Sequence, residues 1–127
     1  MKPFFIGILA LLLVGAGCQP NPNKYVNEAT VWVETTAPTY LFDGHDLQLK
    51  EAIQGGCSSC WDVYLDFESN SAGFGDRTDQ VSAQVITTHT MRIRFLQGEM
   101  IEAITDQIYD EQNAKKLESI FITEPEV

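Results

Sequence analysis

Two cysteines separated by two residues, Cys57 and Cys60, are the part of the chain whose spacing most directly suggests chemistry. In an oxidising compartment such a pair can form a disulfide that closes a short loop. The alternative is a redox centre, in which C-x-x-C lies at a helix N-terminus and the helix dipole lowers the pKa of the first thiol. Here a predicted strand begins at Trp61, directly after the pair. The sequence therefore favours a structural disulfide, and Trp61 in place of a histidine also argues against covalent haem attachment.

The same cysteines could bind a metal ion together with His45 and His89, the two histidines of the chain. Two thiolates and two imidazoles would complete a four-ligand set for zinc or copper. A structural zinc site usually has a second closely spaced pair of ligands, and these histidines are far apart in the sequence. We therefore expect His89 to be an interior, hydrogen-bonded side chain and His45 an exposed turn residue. The metal site remains the alternative hypothesis, and no cofactor is expected.

A polar, glycine-rich loop over residues 69–80 provides a candidate binding surface. Glycines on both sides of Phe74 would let the backbone turn sharply and present the ring to a partner. The candidate binding residues are Phe74, Asp76, Arg77 and Asp79. In the alternative, Phe74 packs inward to hold the loop, and Asp76 pairs with Arg77 or caps a turn. The acidic residues do not follow the EF-hand order, so the pattern gives calcium binding little support.

No catalytic constellation stands out in the chain. Hydrolysis needs a nucleophile, a base and an orienting acid in mutual reach, and the G-x-S-x-G turn of many serine hydrolases is missing. Asp62, Asp66 and Glu68 share one face of a predicted strand. On an acidic protein this arrangement is more typical of a solvated face than of paired catalytic carboxylates. We therefore expect a non-enzymatic binding or structural domain.

The first 18 residues have the pattern of an export signal. One lysine precedes an apolar run that ends in small residues, and this run is shorter than the roughly 20 residues that a transmembrane helix needs. The segment Val14-Gly15-Ala16-Gly17-Cys18 resembles the lipobox of bacterial lipoproteins, with Gly15 where that family usually has Leu. The resemblance implies a signal peptide over 1–17, cleavage before Cys18 and lipid attached to Cys18. An ordinary signal peptide that leaves Cys18 free is the alternative.

The resemblance also implies where the protein lies. Two or more acyl chains hold a protein stably on a bilayer, so we expect a lipid-anchored protein of the bacterial cell envelope, with its domain facing the periplasm or the exterior. The formal net charge of −10 argues against nucleic acid and anionic lipid headgroups as partners, because both require a basic surface. A protein of the envelope is the expected partner.

The clearest secondary-structure signal is the strand that follows the cysteines. Apolar side chains alternate with acidic and polar ones, and the apolar set is Trp61, Val63, Leu65 and Phe67. We expect this set to face the core, where each side chain contributes about 1.5–3 kcal/mol. A charge in place of Val63 or Leu65 should be among the most damaging substitutions in the chain.

The segments before the cysteines predict a tether, a strand and a short helix. Residues 18–28 contain prolines and asparagines without apolar periodicity, which indicates a flexible tether. A β-branched and aromatic run over 30–36 predicts a strand. Asp46 is expected to cap a helix over 47–54 that ends at the following glycines.

The segments after the 69–80 loop predict more strands and a last helix. Residues 81–96 alternate as one long strand or two shorter ones, Gln97-Gly98 marks a turn, and 100–105 returns as a hairpin partner. Asp110 is expected to cap a helix that extends to about Phe121.

Together these elements predict a single α+β domain over residues 29–127. Its expected architecture is a small antiparallel sheet of three to four strands with one or two helices packed on one face. The resulting hypothesis is a membrane-anchored envelope lipoprotein with a non-enzymatic binding or structural domain. The rival hypothesis is a thiol-redox or metal-binding protein that uses Cys57 and Cys60.

Overall fold

The computed structural model of the protein describes residues 21–118, and these form an α+β fold. Two helices come first, α1 (Asn23–Thr36) and α2 (Pro38–Asp43). The strands that follow are β1 (Gly44–Gln54), β2 (Trp61–Ser69), β3 (Thr87–Leu96), β4 (Glu99–Thr105), β5 (Tyr109–Asp110) and β6 (Lys115–Lys116). They form one antiparallel sheet in which each strand pairs with the next along the chain.

The predicted class, an antiparallel sheet with two helices, is confirmed, but the predicted number of strands was too small. The sheet has six strands and not three to four. The additional strands come from two segments that the sequence had suggested were helical, namely β1 and the β5–β6 hairpin. The helices lie on one face of the sheet, and the opposite face carries polar and charged side chains.

Helix α1 replaces the strand that was predicted over 30–36, and that prediction was wrong. Tyr25, Ala29 and Val33 are buried at intervals of four residues, so they form one stripe of the helix against the sheet. The ring of Tyr25 lies 5.1 Å from that of Phe95. Because the helix begins at Asn23, it also occupies the second half of the predicted tether.

Strand β2 forms the centre of the core, as its alternation predicted. Trp61, Val63, Leu65 and Phe67 are each at most 7% exposed, while every second residue between them is partly exposed. Residues from α1, β3 and β4 complete the core around this set. Phe67 also contacts the edge of the Tyr40 ring in α2, with 5.4 Å between the ring centres.

Strand β1 occupies the segment predicted as a helix over 47–54, and that prediction was wrong. Leu49 lies opposite Leu65 and Ala52 opposite Val63, so both face the side of the sheet that holds the core. A spacing of three would put them on opposite faces of a regular strand, but a register shift after Leu49 inserts one extra residue. Because of this irregularity, two residues three positions apart face the same side of the strand, as they would in a helix.

The C-terminal part of the described chain forms hairpins. The predicted turn at Gln97-Gly98 is confirmed and connects β3 to β4, although β3 begins at Thr87 and not near residue 81. The helix predicted from Asp110 was wrong over the described residues, because β5 and β6 form there instead. Asp110 accepts hydrogen bonds from the backbone N–H groups of Gln112 and Asn113, so it caps a turn. Residues 119–127 lie outside the described part.

A disulfide joins Cys57 to Cys60 in the loop between β1 and β2, which confirms the predicted pairing. The N–H of Gly55 donates to the carbonyl of Cys60 at 2.6 Å, so backbone hydrogen bonding closes the same loop. The N–H of Gly98 donates to the carbonyl of Ser59 at 2.9 Å. The disulfide loop is thereby attached to the β3–β4 turn.

Candidate functional site

The predicted signal peptide over 1–17 and the predicted lipidation site at Cys18 lie outside the described residues. Within residues 21–118, neither helix has the length and apolar character needed to span a bilayer.

The four side chains proposed as metal ligands do not converge in the fold. Cys57 and Cys60 are bonded to each other at the start of β2. His45 lies opposite Glu68 and His89 lies opposite Phe67, so both histidines are near the other end of that strand. The four-ligand site therefore does not form. No helix among the described residues begins at the cysteines, so they also lack the helix dipole that a thioredoxin-like centre uses.

Arg77, one of the predicted binding residues, lies in the interior of the protein with only 2% of its surface exposed. Its Nη2 donates to a carboxylate oxygen of Asp43 at 2.5 Å, and its Nη1 donates to the carbonyl of Gly75 at 2.8 Å. The guanidinium also stacks on the ring of Phe42, 4.6 Å from its centre. A side chain held in this way fastens the loop to α2 and is not available to contact a partner.

The other three predicted binding residues divide between interior and surface. Phe74 packs inward, and its ring is stacked on that of Tyr109 with 5.3 Å between the ring centres. This agrees with the alternative prediction, in which Phe74 packs inward to hold the loop. Burial of Tyr109 raises the pKa of its hydroxyl. Asp76 and Asp79 are exposed. The carboxylate of Asp76 accepts hydrogen bonds from the side chain and the backbone N–H of Thr78, and these bonds lower its pKa.

The structure brings together Ser69, His89 and Asp106, which the sequence did not connect. Asp106 lies 2.6 Å from Nδ1 of His89, and the hydroxyl of Ser69 lies 3.1 Å from Nε2. This connectivity is the one found in serine hydrolases. However, Ser69 is completely buried and its hydroxyl donates to the carbonyl of Ser71 at 2.8 Å. A substrate cannot reach that hydroxyl, so the three residues act as a link between β2, β3 and the turn after β4.

The carboxylate of Glu111 is buried and accepts hydrogen bonds from uncharged donors. It accepts hydrogen bonds from the backbone N–H of Thr39 at 3.0 Å, from the hydroxyl of Thr39 at 2.7 Å and from the hydroxyl of Thr105 at 2.6 Å. The hydroxyl of Thr39 in turn accepts a hydrogen bond from the N–H of Gly75. Glu111 therefore joins α2, β4 and the 69–80 loop.

The sheet face opposite the helices carries a row of ion pairs. Arg94 donates from Nε and Nη2 to the two carboxylate oxygens of Asp62, at 2.9 and 3.1 Å. These bonds raise the pKa of Arg94. Arg92 donates from Nη2 to Glu102 at 2.6 Å, and Nη1 of Arg94 lies 3.3 Å from the same carboxylate. Charges of both signs therefore alternate across three neighbouring strands.

A groove of about 460 Å³ lies on this open face beside the ion pairs. It contains cationic, anionic and apolar side chains contributed by β1, β2, β3, β4 and the turn after β4. The lining residues are Lys50, Glu51, Tyr64, Thr90, Arg92, Ile104, Asp106 and Gln107. Nε of Arg92 is buried, and among the described residues it has no hydrogen-bond partner. A ligand cannot reach a buried nitrogen, so the polar groups that the groove offers are its accessible charged side chains, among them the exposed Lys50 and Glu51.

Sequence reasoning anticipated that this face would be polar, because the alternation of β2 places Asp62 and Asp66 opposite the core. It did not identify Arg92 or Asp106 as groove residues, because their proximity depends on the register of β3 and on the turn after β4. Comparison of the chain with protein-family models, with curated proteins and with solved structures finds no match.

Proposed function

We propose that the protein is a lipid-anchored lipoprotein of the bacterial cell envelope whose domain binds a polar segment of a partner protein in the groove on the open sheet face. The lipobox-like segment that ends at Cys18 supports the anchor. The groove supports the binding role, and the side chains of both charges that line it are the observation that carries it.

The chemistry of the groove favours a mixed-charge peptide segment over a purely anionic or apolar ligand. Lys50 and Arg92 attract acceptors, while Glu51 and Asp106 attract donors. Tyr64 and Ile104 add apolar surface between these groups. Charges that are complementary across an interface guide association and select partners. The 69–80 loop, whose Arg77 and Phe74 are packed inside, supports the domain without contacting the partner.

In-cell photo-crosslinking tests this function. A photoreactive phenylalanine analogue replaces Tyr64 in the groove, and in a control chain it replaces Phe42, which lies in α2 and is 39% exposed. We expect a discrete crosslinked species from the Tyr64 position only. Adding Arg92→Met to the Tyr64 chain should remove that species while the circular dichroism spectrum stays unchanged. Equal crosslinking from both positions, or none from the groove, would contradict the proposal.

A further inference from the structure

Three side chains with metal-binding groups come together at the end of the open face, away from the disulfide. They are His45, Asp46 and Glu68, and their ligand atoms all lie within 4.8 Å of one another. His45 lies directly opposite Glu68 in the β1–β2 pairing. The cluster shares only His45 with the four-ligand set considered from the sequence.

An irregularity in β1 brings Asp46 into the cluster. Neighbouring residues of a regular strand point to opposite faces. Asp46 has a positive φ of 57°, and the register shifts between His45 and Gln48. As a result, a carboxylate oxygen of Asp46 lies 2.9 Å from Nδ1 of the neighbouring His45.

Both ring nitrogens of His45 face oxygen atoms that can only accept. Nδ1 faces the carboxylate of Asp46, and Nε2 lies 2.9 Å from the amide oxygen of Asn70. A neutral imidazole has one N–H and can satisfy one of these oxygens. The other nitrogen and its oxygen then present lone pairs to each other, and a cation, either a proton or a metal ion, is needed there. His89 also lies between two acceptors, Asp106 and the Ser69 hydroxyl that donates to Ser71, but among the described residues no third metal-binding side chain lies beside it.

From this geometry we infer that His45, Asp46 and Glu68 bind a divalent transition-metal ion. Ligands at about 2.0–2.2 Å from a tetrahedral ion lie about 3.3–3.6 Å from one another, so a small increase in the separation of the His45 nitrogen and the Asp46 oxygen, which are 2.9 Å apart, would admit the ion. One imidazole and two carboxylates suit Zn²⁺ and its neighbours in the first transition series. Nε2–H of His45 donates to Asn70, and this bond orients the ring as the outer hydrogen bonds of metal-ligating histidines do.

The surroundings of the cluster are compatible with this role. A cavity of about 200 Å³ borders Asp46 and Glu68, and Asp66 also lines it. This leaves room for solvent or a substrate group to complete the coordination.

Zn²⁺ titration of the untagged full chain in detergent micelles tests the inference, with NMR of the imidazole protons as the readout. Because the chain has two histidines, His89 is an internal control. We expect one equivalent of Zn²⁺ to shift the His45 signals and leave the His89 signals in place. In calorimetric titrations, His45→Gln and Glu68→Gln should abolish saturable binding of Zn²⁺. Glu51→Gln, an exposed carboxylate on the same strand, should bind Zn²⁺ as the unmodified chain does.

Several outcomes would overturn the inference. Zn²⁺ that shifts both histidines, or neither, does not occupy this cluster. If Glu51→Gln weakens binding as much as Glu68→Gln, the attraction comes from the overall negative charge. If Ca²⁺ displaces Zn²⁺ at equal concentration, the carboxylates alone hold the ion and His45 is not a ligand. The NMR readout needs no variant, so it applies even where a substitution impairs folding.

Discussion

Among the individual residues, Arg77 has the largest difference between its expected and its observed environment. A charged side chain in a glycine-rich loop is usually solvated, but this one is buried beside Asp43, Ser71 and the Phe42 ring. Gly75 makes the arrangement possible. It has a positive φ of 67°, and a β-carbon there would collide with the hydroxyl of Tyr109. Removing one partner of a buried ion pair leaves an uncompensated charge in the interior.

We therefore expect Arg77→Met to lower the free energy of unfolding by about 3–5 kcal/mol. Arg94→Met is the matched control, because the Arg94 side chain is 40% exposed and its ion pairs lie on the surface. Exposed pairs of this kind contribute about 1 kcal/mol or less. Urea unfolding followed by circular dichroism measures both variants. Similar losses in the two variants would show that the buried ion pair of Arg77 does not hold the loop in place.

At the residue level, the sequence could predict which side chains are able to bind metal ions or form buried hydrogen bonds. It could not predict which of these side chains contact one another in the fold. The interior position of His89 followed from its place in an alternating strand and is observed. Its partner Asp106 is 17 positions away, and no local pattern connects the two. Asp46 was expected to cap a helix, and the irregularity of β1 places its carboxylate beside His45 instead.

At the scale of elements, strict periodicity was the reliable signal. The alternation of β2 and the Gln97-Gly98 turn are both observed. The β1 segment was predicted as a helix because its irregularity places apolar residues at the spacing that is typical of a helix. In α1, the interval of four from Tyr25 to Ala29 was present in the sequence, but nearby prolines and β-branched residues favoured a tether and a strand. Tertiary packing outweighs such weak propensities.

The disulfide gives a prediction about the connection between β1 and β2. Replacing both Cys57 and Cys60 by serine should lower the free energy of unfolding by about 2 kcal/mol, the chain-entropy estimate for so small a ring. Chemical denaturation with and without a reductant measures this difference. The unmodified chain should lose the same amount when reduced, and the double variant should not respond to reductant. A reductant-sensitive double variant, or an unmodified chain with equal stability in both conditions, would contradict the prediction.

For the molecule as a whole, the proposed lipid anchor gives a prediction about the mature mass. We expect the chain isolated from bacterial membranes to begin at Cys18 and to carry the added mass of acyl chains. Cys18→Ser should remain uncleaved and without lipid, whereas Cys57→Ser should still be cleaved and lipidated. Intact-mass spectrometry of the three chains checks this. An unmodified Cys18 in the mature protein, or cleavage at another position, would contradict it.

Strand β1 lies at one edge of the sheet, and this position has a consequence wherever many copies of the chain are concentrated, as the proposed lipid anchor would concentrate them on a membrane. A long, regular edge strand is a template for pairing with another chain and hence for aggregation. The two register shifts of β1 interrupt its hydrogen-bonding edge, and Lys50 and Glu51 are exposed along it. The irregularity that brings Asp46 beside His45 should therefore also keep neighbouring copies from joining their sheets.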